Sequence, residues 1–365
     1  MTKVCHLTSV HKSNDVRIFL KECRSLANSG FDVSLVCVNE KEEIIDGVKI
    51  ISVNDKGGGR IRRATVVCNK IYWKAVEVNA DIYHFHDPEL LRIGFKLKRK
   101  GKKVIYDAHE DLPRQIIGKP WIPKPIRSVT AFITEWLENF YASRMSVVLT
   151  ATPFIAERFK KINPNTIDVN NFPLKEEMDF VSANSQKENA VCYIGGITEI
   201  RGIYPLLEAI NISKTKLFLA GDGSDELKKN LAKKSGWSYV EYAGFVSREE
   251  ARKIMSKAAA GVVTFLPLPN HVNAQPNKMF EYMSAGVPVI GSNFPLWQDI
   301  LIKNDCGICV DPMQPLEIAE AINYLILNDH EAERKGKNGR KAVMEKYNWN
   351  VESEKLVNFY KKYMN

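Results

Sequence analysis

The chain has 365 residues, 45% of them hydrophobic, which is too long for one compact core and suits two α/β domains. Its formal charge of +9 lies wholly in the first half: residues 1–172 hold 28 Lys and Arg against 19 Asp and Glu, whereas residues 173–365 hold 24 of each. No run approaches about 18 apolar residues, and the polar start around His6, His11 and Lys12 has no signal-peptide core, so a spanning design is excluded and a cytoplasmic chain is expected.

In chain order, Val4 to Thr8 reads as a first strand, Arg17 to Ser29 as an amphipathic helix ended by Gly30, and Val33 to Val38 as a second strand. This is a βαβ unit. The loop His11 to Arg17, which holds Asp15 and Arg17, follows the first strand where a Gly-rich turn is absent. Ile82 to Phe85 and Val104 to Tyr106 add short apolar strands, each followed by histidines and carboxylates: His84, His86, Asp87, Glu89 after one and Asp107, His109, Glu110, Asp111 after the other. Neither cluster has the i, i+4 spacing of a helical zinc pair. Alternation along its strand turns His84 inward, toward a structural role.

Two basic stretches stand out, Arg60, Arg62, Arg63 and Lys96 to Lys103. They suit either an anionic lipid or acceptor surface or a pair of solvated helix faces. Nucleic acid is not an expected partner, because no recognised binding motif or aromatic interleaving accompanies them. The seven cysteines have no regular spacing, and Cys306 with Cys309 is a CxxC lacking the second pair that a zinc site needs. No metal is expected.

Lys175 to Asn189, rich in Glu, Ser and Asn, is the predicted linker. Beyond it the βα alternation resumes: Val191 to Ile194, Lys216 to Ala220, Tyr239 to Tyr242, Gly261 to Thr264 and Val287 to Gly291 are strand candidates, and parallel sheets bind ligands at the carboxyl ends of such strands. Gly195, Gly196 and Arg201 follow the first of these, Gly221 and Gly223 the second, and Gly244 to Val246 the third. Glycines there let a backbone approach a ligand, and an arginine binds a diphosphate with two parallel N–H groups. The segment Pro276 to Ile290 reads as a loop, a helix capped by Asn277 and closed by Gly286, and a strand. Lys278 in its first turn opposes the helix dipole unless an anion sits there, and Glu281 one turn on suits a sugar diol.

Phe280 to Ile290, together with Asp15-x-Arg17, His109, Gly195-Gly196-x4-Arg201-Gly202 and Gly221-Asp222-Gly223, resembles the nucleotide-sugar glycosyltransferases of family 4 over nearly the whole chain. The resemblance implies a GT-B fold: two Rossmann-like α/β domains with parallel sheets facing across a cleft. It implies an acceptor-binding domain over 1–174, the linker 175–189, a donor-binding domain over 190–345, and a terminal helix over 346–365 that crosses back to the first domain. It implies a retaining hexosyl- or N-acetylhexosaminyl-transferase acting in bacterial surface polysaccharide synthesis, peripheral at the inner face of the membrane, with no cofactor and no metal. The substrates would be a UDP- or GDP-linked sugar donor and a glycan or lipid-linked acceptor.

By the same resemblance the catalytic residues are His109, Arg201 and Lys278. The donor-binding residues are Gly195, Gly196, Arg201, Gly221, Gly223, Val246, Asn273, Asn277, Lys278 and Glu281, with Glu281 on the ribose, Arg201 and Lys278 on the pyrophosphate and Val246 at the base. Asp15, Arg17, His86 and Asp87 fall on the acceptor side. The chain departs from the family in placing Gly196 where an arginine is usual, for which Lys278 substitutes, and Asn273 where the first of two glutamates is usual. A sugar-nucleotide epimerase of the same fold and a non-catalytic nucleotide-sugar binder are the alternatives. The absence of Asp-x-Asp disfavours a metal-dependent transferase, and no facing carboxylate pair suggests a glycosidase.

Overall fold

A computed structural model describes residues 1–39, 41–55, 59–119, 122–174 and 187–363. It divides into two compact units, Met1–Asn171 with Trp349–Asn365, and Phe172–Asn348. Residues 175–186, most of the predicted linker, lie outside the described residues.

The first unit is built on eight strands, β1 (Lys3–Leu7), β2 (Asp32–Cys37), β3 (Glu43–Ile45), β4 (Val48–Ser52), β5 (Ile82–Phe85), β6 (Lys103–Ala108), β7 (Val147–Thr150) and β8 (Thr166–Asp168). They lie in the order β3-β4-β2-β1-β5-β6-β7-β8. All neighbours pair in parallel except β3 and β4, an antiparallel edge hairpin, so the expected purely parallel sheet is corrected at that edge. Strands β1, β2, β5 and β7 are nearly continuous Val, Ile, Leu and aromatic runs buried on both faces, as a sheet covered by helices requires. Strand β6 runs two residues past the predicted end, which makes Asp107 a strand residue rather than part of a loop.

Asp15 caps the first helix: its carboxylate accepts from the Arg17 and Ile18 amides, both at 2.9 Å. The helix is wound as a π-helix over Val16–Cys23 before tightening to an α-helix over Arg24–Asn28. The wide turn adds a residue per hydrogen-bonded ring and brings Arg17, Lys21 and Glu22 all to the buried side. The final helix, Trp349–Tyr363, packs on this same unit. Trp349 donates to Ser25 Oγ (2.9 Å), the Glu352 carboxylate accepts from the Asn170 amide (2.8 Å), and Tyr360 reaches His84 Nδ1 (2.8 Å). Leu356 and Tyr360 are wholly buried, and an apolar side chain so placed contributes about 1.5–3 kcal/mol.

The second unit carries β9 (Ala190–Ile194), β10 (Lys216–Ala220), β11 (Val240–Gly244), β12 (Ala260–Val263), β13 (Val289–Ser292) and β14 (Gly307–Val310), in the order β11-β10-β9-β12-β13-β14 and parallel throughout. Its order reverses at β9, flanked by β10 and β12. Open α/β sheets bind ligands at such a reversal, beyond the carboxyl ends of the strands.

Candidate functional site

In the second unit the loops after β9, β10 and β11 are stitched together. Gly221, at φ +141°, lies so close to the Gly195 carbonyl that an added Cβ would come within 1.8 Å of its oxygen, and its amide donates to Gly244 O at 2.7 Å. Only glycine satisfies both the conformation and the approach. Gly223 packs against the Ile197 carbonyl, where a Cβ would sit 2.7 Å from the oxygen. Over this floor stand two cations: Arg201 Nη1 is 3.6 Å and Lys278 Cγ 3.9 Å from the position of a Cβ on Gly195. Arg201 also donates to Gly196 O (3.4 Å) and lies over the Phe265 ring, 5.4 Å from its centroid.

Lys278 is carried by the helix Asn277–Ser284. The sequence reading made Asn277 its cap; the structure corrects this, because Pro276 takes the cap position and Asn277 is the first helical residue, with no side-chain cap among the described residues. Proline fixes the entry dihedral, and the first amides of the helix are left for other acceptors. Met279, Phe280, Tyr282 and Met283 bury the opposite face, and the Tyr282 hydroxyl accepts from the Ile194 amide at 2.8 Å, which pins the helix to the end of β9. Lys278 forms an ion pair with Glu281, each about one-third exposed. A pair that exposed is worth about 0–1 kcal/mol, so an incoming ligand can separate it at little cost.

Val246 is half-buried against the core beneath the sheet, which leaves its main chain rather than its side chain for a ligand. Asn273 follows the short helix Pro269–Val272. A groove between the helices Arg248–Lys257 and Asn277–Ser284 is lined by Arg248, Arg252, Met255, Lys278, Glu281 and Ser284. The two arginines were not singled out in the sequence.

In the first unit the histidine and carboxylate clusters form one network. Asp107 is its hub: Arg17 donates from Nε to Oδ2 (3.1 Å) and from Nη2 to Oδ1 (3.0 Å), and His86 Nδ1 (3.1 Å) and His109 Nε2 (2.8 Å) also reach Oδ2. Burial alone would raise the Asp107 carboxyl, but the Arg17 guanidinium and His109 outweigh it and hold the group well below its usual range. Burial pushes His86 down to about 4, so it is a neutral imidazole whose Nδ1–H faces Asp107 and whose Nε2 accepts from His6 Nδ1 at 2.9 Å.

Three of the four residues read as acceptor-side are corrected by this arrangement. Arg17, His86 and Asp87 are buried: Arg17 is spent on Asp107 and on Val169 O (3.0 Å), and Asp87 accepts from the Ser9 amide (2.6 Å) and Thr8 Oγ1 (2.8 Å). A buried charge must be paired, and Arg17 and Asp87 are paired within the protein, while the neutral His86 is held by Asp107 and His6. The half-buried groups are His109, Asp15 and His11, whose ring centroid is 5.6 Å from that of His109.

The model of the glycosyl transferases group 1 matches residues 175–342, and the model of glycosyltransferase family 4 matches residues 16–170, one on each unit. This chain is a glycosyltransferase of that family. A curated relative is an uncharacterized glycosyltransferase of Methanocaldococcus jannaschii, 27% identical over 56% of this chain and 53% of its own length, so the match spans about half of that relative. The O-antigen chain mannosyltransferase C of Escherichia coli is 21% identical over 79% of this chain and 77% of its own. Among solved structures, a sucrose-phosphate synthase of Thermosynechococcus elongatus superposes with TM-score 0.78 at 15% identity, over 99% of each chain. An Anabaena protein, HepE, solved with UDP and glucose, gives 0.74 at 13% identity, over 99% of this chain and 100% of its own. These likenesses give the glycosyltransferase its GT-B fold.

In this glycosyltransferase the residues that converge in the second unit are Gly195, Gly196, Arg201, Gly221, Gly223, Lys278 and Glu281. His109, on the first unit, is held by Asp107, whose part sequence reasoning missed because the strand was read as ending at Tyr106. A longer alternating run, Val104, Tyr106 and Ala108 against Ile105 and Asp107, was the available signal.

Proposed function

We propose that this glycosyltransferase moves a hexosyl or N-acetylhexosaminyl group from a UDP- or GDP-linked donor to a hydroxyl of a glycan or lipid-linked acceptor, with retained anomeric configuration, in the synthesis of a bacterial surface polysaccharide. The observation that carries this reading is the convergence of Arg201, Lys278 and the Gly195 and Gly221 loops on one patch, with Glu281 one turn beyond. The names of the E. coli relative and of the UDP- and glucose-bound Anabaena structure support it.

The demanding event is departure of the nucleoside diphosphate, when negative charge grows on the phosphate. Fixed cations and helix amides that meet that charge lower the barrier. Arg201 and Lys278 fill this role, and Lys278 exchanges Glu281 for the phosphate as Glu281 turns to the ribose hydroxyls. The departing phosphate then accepts the proton of the acceptor hydroxyl on the same face, which retains configuration. His109, by the family resemblance, meets the transferred sugar. No metal is needed at the diphosphate in this scheme, because the two cations occupy its place.

A lipid-linked acceptor calls for a membrane surface. The helix Lys124–Ala142 turns an apolar stripe outward, with Ile126, Val129, Phe132, Ile133, Trp136 and Phe140 exposed, Phe132 to 72% and Trp136 to 60%. No helix among the described residues is long and apolar enough to cross a membrane, so the stripe is assigned to lying in the interface of an anionic bilayer. The excess of nine positive charges in the first half complements it.

The test is nucleotide release by the full chain from UDP- and GDP-sugars with lipid-linked acceptors in EDTA, followed by NMR of the product's anomeric centre. Release dependent on acceptor, with retained configuration, is expected. Release from no donor, an inverted product, or an absolute need for added manganese would each sink the corresponding part of the scheme.

A further inference from the structure

We propose that His6, Glu22 and His84, buried in the first unit, form a binding site for one divalent transition-metal ion, Zn²⁺ by its donor set. Strands β1 and β5 pair with His6 opposite His84, so both imidazoles leave the same face of the sheet, and their ring centroids lie 4.5 Å apart. The π-helical segment Val16–Cys23 presents Glu22 to that face. One ligand atom from each of His6, Glu22, His84 and His86 falls within 4.8 Å of the others.

Four wholly buried atoms in this cluster have no hydrogen-bond partner among the described residues: His6 Nε2, His84 Nε2 and both oxygens of Glu22. An orphaned buried polar atom is costly, and His6 Nε2, His84 Nε2 and Glu22 Oε2 at one spot call for a common partner. The rest of the network sets the tautomers that a metal needs. The Asp107 carboxylate can only accept, so His86 carries its proton on Nδ1, His6 donates Nδ1–H to His86 Nε2, and His6 Nε2 is left with a lone pair. At His84 the Tyr360 hydroxyl lies 2.8 Å from Nδ1, and when it accepts Nδ1–H the second lone pair is on Nε2. Histidine ligands are characteristically held through their other nitrogen in this way.

Glu22 supplies the third ligand. Its Oε2 is 3.7 Å from His84 Nε2, close to the roughly 3.4 Å between neighbouring ligands of a tetrahedral ion with bonds of about 2.1 Å. Its Oε1 lies 3.1 Å from Arg17 Nε, whose hydrogen goes to Asp107, so the guanidinium balances charge behind the carboxylate without using up its inner oxygen. In the second trio, His86 Nδ1 and His109 Nε2 both reach Asp107 Oδ2, at 3.1 and 2.8 Å, which leaves no such vacancy for a ligand bond. Two imidazoles and one carboxylate suit zinc rather than magnesium or calcium. Full burial means the ion enters as the unit folds and ties β1, β5, the first helix and, through Tyr360, the last helix together.

The experiment uses the full chain, expressed in zinc-supplemented medium or refolded from denaturant with ZnCl₂, MgCl₂ or EDTA. Metal content after desalting and thermal midpoint are measured, and CoCl₂ serves as a spectroscopic probe. One zinc per chain, a midpoint raised by zinc but not by magnesium, and cobalt d–d bands without a thiolate charge-transfer band are expected. Tyr360→Phe, which keeps the shape of the core, should weaken zinc binding about 10–100-fold, Glu22→Gln should abolish it, and His109→Asn should leave it unchanged. Wild-type chain without zinc, a thiolate band, or zinc lost on His109→Asn but kept in Tyr360→Phe would overturn the site. These readouts do not depend on transferase activity, so they separate this proposal from the functional one.

Discussion

At the residue scale, each unit sets partly exposed polar groups on buried ones that hold them. His109 is half-buried with Nε2 committed to Asp107, so it is oriented before any sugar arrives, and its loss should act on the reaction rather than on donor affinity. His109→Ala should lower kcat roughly 10²–10³-fold while nucleotide affinity by calorimetry barely moves; near-normal turnover would remove it from the catalytic set. Glu281→Ala should behave oppositely. Loss of charged hydrogen bonds to the ribose weakens donor binding by about 1.5–3 kcal/mol, offset in part because Lys278 is released toward the phosphate. A double-mutant cycle with Lys278→Ala should therefore be non-additive, and additive losses would mean the two do not share the donor. His11 offers a pH test. The hydrogen bond to Asp15 raises its pKa above 6.5 despite partial burial, while Asp15, which burial alone would raise, is held at about 2 by His11 and the Ile18 amide. The His11 contribution to stability is full below pH 6.5 and lost as pH rises through the elevated folded value. The Asp15 contribution is full above its ordinary 3.8 and lost as pH falls through about 2. NMR titration should show His11 above 6.5 and returning toward it in Asp15→Asn.

At the scale of elements, the loops are held by backbone packing, which makes glycine substitutions sharp probes. Gly221→Ala places a methyl on the Gly195 carbonyl, so it should weaken nucleotide binding and lower the thermal midpoint together; unchanged affinity would mean the floor of the site lies elsewhere. The exposed stripe of the helix Lys124–Ala142 makes a second test. Phe132→Glu with Trp136→Glu should abolish binding to anionic liposomes while leaving nucleotide affinity intact, and undiminished binding would shift the membrane contact to the basic stretches alone. Those stretches are partly occupied, since Arg62 pairs with Asp55, Arg63 with Glu89, and Lys98 donates to Ser146 Oγ (2.8 Å). The two-unit grammar and the glycine loops of the second unit were legible because they depend on local signals, namely short apolar runs ending in Gly. What was not legible depends on partners distant in the chain. His6 and His84 meet only because β1 and β5 are neighbours, and Arg17 reads as a loop cation until Asp107 is found beside it. Strands β3 and β8 are three residues each, too short for a period to show, and the stripe at 124–142 was missed although its i, i+3, i+4, i+7 spacing was present.

At the scale of the whole molecule, the charge imbalance follows the units, with the excess on residues 1–172 and a balanced second half. The order of the units along the chain carries a further consequence, for synthesis. The first unit is discontinuous: its sheet is complete by residue 168, yet Ser25, His84 and Asn170 wait for partners at 349, 352 and 360. While the ribosome makes the intervening residues, Ser25, His84 and Asn170 lack those partners. The second unit, drawn from one continuous stretch, can close first although it is made later. A chain stopped before Trp349 should therefore yield a protease-resistant second unit attached to a protease-sensitive first one, and equal resistance of both would show that the last helix is dispensable. The helix Trp349–Tyr363 is in this sense a completion signal, since the half of the protein translated first becomes native only once a segment encoded far downstream has been made.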